Sequence, residues 1–119
     1  MLQDGNAYGL SAMMLSAGKI FPAFVELLIH PEFSVRLGAM AAIEDVAEKA
    51  RPIAGQVVAS LIERFDQADE TIKGDILYVI GVCGDKTAVS FLTSVAATSQ
   101  SDELKEAAAD ALEATIGEG

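Results

Sequence analysis

VRLGAMAAI at residues 35–43, IKGDILYVI at 72–80 and LKEAAADAL at 104–112 are three copies of one pattern. Each opens on an apolar-basic step: Val35-Arg36, Ile72-Lys73 and Leu104-Lys105. Each then returns to a small or apolar residue at +4 and +8, namely Ala39 and Ile43, Ile76 and Ile80, Ala108 and Leu112. The spacing places these residues on one face of a helix. The steps between copies, 37 and 32 residues, are the signature of stacked supersecondary units, each of which needs a neighbour to bury its apolar face.

Outward from these three helices, the remaining sequence supplies their partners. A first helix is expected over residues 6–17, stopping at Gly18, and a second over 21–29, ended by His30-Pro31 because proline disfavours helical geometry in the residue before it. Ser34 is the expected N-cap of the third helix, which carries Val35, Ala39, Ile43 and Val46. Pro52 suits the first turn of a fourth, with Ile53, Val57, Val58, Leu61, Ile62 and Phe65 as its apolar side. The fifth covers about 71–82. Gly84 turns the chain, Asp85 caps a sixth at 86–98, and the seventh runs 103–116 with Gly117 as its stop. Connections of about two to six residues make consecutive helices antiparallel. No strand pattern, linker or low-complexity tail interrupts them.

Composition agrees with this reading. The 119 residues are 51% apolar, with few aromatics and three prolines, enough for one all-α domain with a useful core. The net charge is −10. That field opposes binding to a nucleic-acid backbone or an anionic membrane, and fits either simple solubility or a basic partner. One cysteine excludes an internal disulfide. No apolar run approaches a membrane span and the start has no secretory pattern, so a cytoplasmic location is expected.

The apolar-basic steps resemble HEAT repeats, in particular the bacterial HEAT-like kind of the phycobilisome-lyase type. Ile80-Gly81-x-x-Gly84-Asp85-x-x-Ala88-x-x-x-Leu92 looks like that family's helix-turn-helix junction. The resemblance covers nearly the whole chain and implies a right-handed α-α superhelix of about three and a half repeats, a HEAT/armadillo-like solenoid of about seven helices. It carries little about function, because such motifs encode stacking. It also implies that the first, third, fifth and seventh helices line one concave surface.

Asp75 departs from the small residue expected at its slot, where Gly38 and Ala107 stand in the other copies. A buried carboxylate needs a partner. It is expected to meet Arg36 or Lys73, or to accept a hydrogen bond from Tyr78, as a strut between repeats.

Steps of 100° per residue from Val35, Ile72 and Leu104 place +2, +5, +6 and +9 away from the core. With Leu15 aligned to Ile43 and Ile80 for the first helix, the outward strip includes Met13, Leu37, Met40, Leu77 and Tyr78, with the acids Glu106, Asp110 and Glu113 on its flank. Exposed apolar residues beside methionine mark an adaptable interaction surface. Burial of the strip by curvature or self-association is the alternative.

The segment from Asp102 carries six acids and one lysine, as suits a polar capping helix. The first helix is apolar on several sides. The chain is therefore expected to be the C-terminal part of a larger protein, or to pair its N-terminal face with a second copy as a homodimer.

Catalytic patterns are missing from the sequence. His30 is the one histidine and has no companions at metal-ligand spacing. Cys83 has neither a second cysteine nor a histidine near it in sequence, which suits a structural thiol. Glycines fall at helix ends and crossings, not in a phosphate loop. No cofactor or metal is expected. The functional expectation is a non-catalytic protein-interaction module with a protein partner of basic character, without nucleic acid or membrane. The alternative is an accessory domain of a larger enzyme, for example a redox or cofactor-lyase protein, with catalysis outside these residues.

Overall fold

A computed structural model describes the backbone of residues 4–117 and the side chains of residues 9–117. Eight α segments follow one another: α1 (Asp4–Ala17), α2 (Pro22–Leu28), α3 (Phe33–Lys49), α4 (Arg51–Ala54), α5 (Val58–Phe65), α6 (Glu70–Cys83), α7 (Val89–Thr98) and α8 (Asp102–Gly117). Segments α4 and α5 form one rod interrupted by a 3-10 turn at Gly55–Val57, so the described residues form seven helical rods. No strand occurs among the described residues.

The helix ends follow local chemistry. Pro22 and Pro52 stand in the first turns of α2 and α4, where a missing N–H leaves no hydrogen bond unmade. Asp69 accepts from Ile72 N at 3.0 Å and caps α6, and Ser101 Oγ accepts from Leu104 N at 3.2 Å at the start of α8. Asp85 accepts from Thr87 N at 2.9 Å and opens the 3-10 turn Lys86–Ala88 that leads into α7. Gly84 ends α6 at φ +62°, a left-handed conformation that favours glycine.

Several points differ from the sequence expectation. Ser34 is not a cap: α3 begins at Phe33 after Glu32, which makes no side-chain cap bond. The turn is held instead by Glu32 N donating to His30 Nδ1 at 3.0 Å and by Arg36 Nη1 donating to the carbonyls of His30 and Pro31. The fourth helix is not continuous, because it changes to 3-10 geometry at Gly55. There Asp85 Oδ2 lies 3.2 Å from the place a Cβ would take. Gly117 lies within α8 and is the last described residue.

Contacts between segments far apart in sequence run in parallel register. Glu26 pairs with Arg64, and Ile20 N donates to Gln56 Oε1, so the 20s lie beside the 50s and 60s. Arg36 meets Asp75 and Glu44 meets Tyr78, joining α3 to α6. Glu70 meets Ser101, and Gly81 meets Ala111, joining α6 to α8. In each helix pair both numbers rise together, so the helices run the same way. Helices α1 and α3 are likewise neighbours. Helix α7 packs on α8, and Phe65 meets Phe91 edge-on with ring centroids 5.1 Å apart. The shortest molecular extent, 20 Å, is about that of two helices side by side. The core lies between, around Met14, Leu28, Ile43, Leu61, Ile76, Ile80 and Leu92, all almost fully buried.

Candidate functional site: the face of α1, α3, α6 and α8

The outward arc of these helices is set by how many neighbours each has. Positions +4 and +8 are buried in both inner helices: Ala39 and Ile43 in α3, Ile76 and Ile80 in α6. Position +5 is buried there as well, with Met40 at 7% and Leu77 at 0% exposure. On α8 the equivalent Ala109 is exposed, because no further helix packs beyond α8 among the described residues. An inner helix flanked on two sides buries a wide arc, whereas the end helix buries only the stripe Leu104, Ala108, Ala111 and Thr115.

This corrects the expected strip. Met40 and Leu77 are core residues and are not available to a partner. On α6 the outward direction turns towards +6 and +10, with Tyr78 exposed, Val82 half-buried and Gly81 buried, whereas on α3 the exposed positions remain +2 and +9, Leu37 and Glu44. Met13, Leu37 and Tyr78 do project outward, at 57%, 53% and 50% exposure, and Glu106, Asp110 and Glu113 are exposed on α8. Glu118, one of the six acids of the C-terminal segment, lies outside the described residues.

The structure brings Tyr78 and Asp110 together across a cleft of about 510 Å³ between α6 and α8. Helix α6 contributes Tyr78, Gly81 and Val82 to its lining. Helix α8 contributes Ala107, Asp110, Ala111 and Ala114. Asp110 and Ala114 also line an adjoining depression with Glu113 and Gly117, so the acids continue from the cleft along α8. Met13, Leu37 and Glu106 line neither of these two hollows.

Val82, Ala107 and Ala114 were missing from the sequence-derived strip. A signal existed: Val82 and Ala114 both stand at +10, and small residues crowd positions 107–111. The cleft is open because its walls are short side chains, and its floor is closed by a tight crossing. A Cβ on Gly81 would lie 3.0 Å from both Cα and Cβ of Ala111.

Polar contacts fix the borders of this face. Tyr78 Oη donates to Glu44 Oε2 across the α3–α6 seam, and that bond, followed by partial burial, pushes the phenol up to about 12. Ser11 Oγ donates to Asp45 Oδ2 across the α1–α3 seam. That bond comes first among the causes holding the Asp45 carboxyl below its ordinary value, and Lys49 at 3.2 Å adds to it.

Beneath the face, Arg36 Nε donates to Asp75 Oδ2 at 2.8 Å. Of the three partners considered for Asp75, Arg36 is the one in contact. Arg36 also has its guanidinium carbon 5.5 Å from the Phe33 ring centroid, and its Nε and Nη1 donate to one carboxylate and two carbonyls.

Cys83 is fully buried and its Sγ donates to the Ala54 carbonyl at 3.4 Å. Burial first, and the nearby Asp85 second, push its thiol up to about 12, against an opposing effect of Arg51. Iodoacetamide at pH 8 should therefore modify Cys83 no faster than the protein unfolds; rapid labelling of the native state would contradict this assignment.

Among the described residues no three His, Cys, Asp or Glu side chains form a group that could hold a metal ion, and no helix is long and apolar enough to cross a membrane. No family model, curated protein or solved structure matches this chain.

Proposed function

We propose that the chain is a non-catalytic interaction module, an α-solenoid of HEAT-like repeats in a right-handed superhelix, that binds a protein segment on the face of α1, α3, α6 and α8. The cleft between α6 and α8, with Tyr78 half exposed at its edge, is the observation that carries this reading. Concave, largely apolar hollows with a few polar groups are the usual places for recognition.

The repeat reading is supported by register. Residues in contact across neighbouring units differ by 39 and 34 positions between α3 and α6, and by 31 and 30 between α6 and α8. These separations follow the sequence steps of 37 and 32, as expected when each unit rests on the one before it in parallel.

A two-hybrid screen against a library from the source genome tests the assignment, with each prey retested on two variants. Ala114→Arg fills the cleft, and Ser60→Arg alters the exposed side of α5 on the other layer. Preys are expected to be lost on the first and retained on the second. Preys that bind both variants equally would remove this face from the function.

A further inference from the structure

We infer that the α6–α8 cleft accepts a basic segment of a partner protein, with one apolar side chain seated over Gly81 and Ala111 and a lysine or arginine beside Asp110 and Glu113. This rests on the interaction-module reading and specifies its ligand.

Shape selects the apolar part. The cleft has the short side chains of Ala107, Ala111 and Ala114 on one wall and Val82 on the other. These groups offer contact area without hydrogen-bonding capacity, so the seated group must be apolar or leave its polar atoms unpaired. Nothing on α8 reaches across to fill the space, because the α8 wall carries nothing longer than Asp110.

Charge selects what flanks it. Asp110 stands in the cleft and Glu113 in the hollow that continues from it. Among the described residues no ion pair engages either acid; the cations Arg36, Lys49 and Arg64 are paired with Asp75, Asp45 and Glu26 elsewhere. Glu44 lies at the opposite border, bonded to Tyr78. A segment lying in the cleft therefore meets acids along its α8 side, at Asp110 and Glu113.

The same field discriminates between occupants. A second copy would bring another −10 of net charge against the acidic border, and a nucleic acid or an anionic bilayer would be repelled likewise. A basic peptide is drawn in, its encounter accelerated at low salt.

A phage-displayed library of random twelve-residue peptides, panned on the whole chain, tests this. Clones are retained only if they lose binding to Ala114→Arg, and the retained sequences are synthesised with a fluorophore for anisotropy measurements. The expected result is enrichment of an apolar residue next to lysine or arginine and weakening with salt. Asp110→Asn and Glu113→Gln should each weaken binding roughly two- to fivefold, as for exposed ion pairs. Cleft-dependent clones that are neutral or acidic, or whose affinity ignores both substitutions, would overturn the ligand assignment while leaving the interaction face in place. Clones none of which depend on the cleft would overturn both.

Discussion

Replacing Arg36 with alanine is expected to lower the unfolding free energy by about 3 kcal/mol, at the lower end of what breaking a buried ion pair costs. The guanidinium is buried and holds three acceptors at once: Asp75 Oδ2 and the carbonyls of His30 and Pro31. Its loss strands a carboxylate and frees the turn that starts α3. The lower end applies because the Asp75 side chain keeps 23% exposure, so water can recover part of its solvation. Asp75→Ala should cost a comparable amount for the reverse reason, since it leaves a buried cation with carbonyl partners alone. The double variant Arg36→Met with Asp75→Leu should recover much of the loss, because an apolar pair of similar volume removes both desolvation costs. Urea unfolding of the four proteins measures this cycle. Single variants as stable as the parent would show that the strut contributes nothing.

Leu77→Ala is expected to destabilise the chain by about 2–5 kcal/mol, whereas Leu37→Ala should stay within about 0.5 kcal/mol of the parent. Both leucines occupy positions that a single-helix projection assigns to the outward strip. Leu77 is fully buried and Leu37 is 53% exposed. Removing Leu77 leaves a cavity walled by packed side chains; removing Leu37 leaves only more water. Thermal unfolding of the pair decides the orientation of these helices. Similar midpoints for the two variants would mean that the wide buried arc of α6 is wrong.

The contrast between those leucines shows where the sequence is legible and where it stops. The helix positions follow from the nine-residue patterns, Pro31 and Pro52, and Gly84, because these act through local backbone geometry. The core positions at +4 and +8 follow from helical periodicity. The Arg36–Asp75 contact is one of a small set of pairings open to a carboxylate in an apolar stripe. Position +5 is a different kind of problem. Met40 and Leu77 are buried by neighbouring helices, while the equivalent Ala109 is exposed on the end helix. One helix projected alone contains no information about how many neighbours flank it.

The candidate site was legible in part for the same reason. Tyr78 and Asp110 lie on the outward side of their own helices, and both line the cleft. Val82 and Ala114 share position +10 and Ala107 lies in a run of small residues, but the register between α6 and α8 is what turns them into walls of one cleft. That register is fixed by the approach of Gly81 to Ala111, a pairing between residues 30 apart. Met13 and Leu37 are exposed as expected, but they sit on α1 and α3, away from this lining.

Site-specific photo-crosslinking in the source cells tests whether a protein partner sits in the α6–α8 cleft. A benzoylphenylalanine placed at Tyr78 reports on the edge of the cleft, and one placed at Ser60 reports on the exposed side of α5. Binding in the cleft predicts a reproducible protein adduct from position 78 that is absent from position 60 and disappears when Ala114→Arg is added. Adducts that are the same from both positions, or that persist with Ala114→Arg, would contradict binding in the cleft.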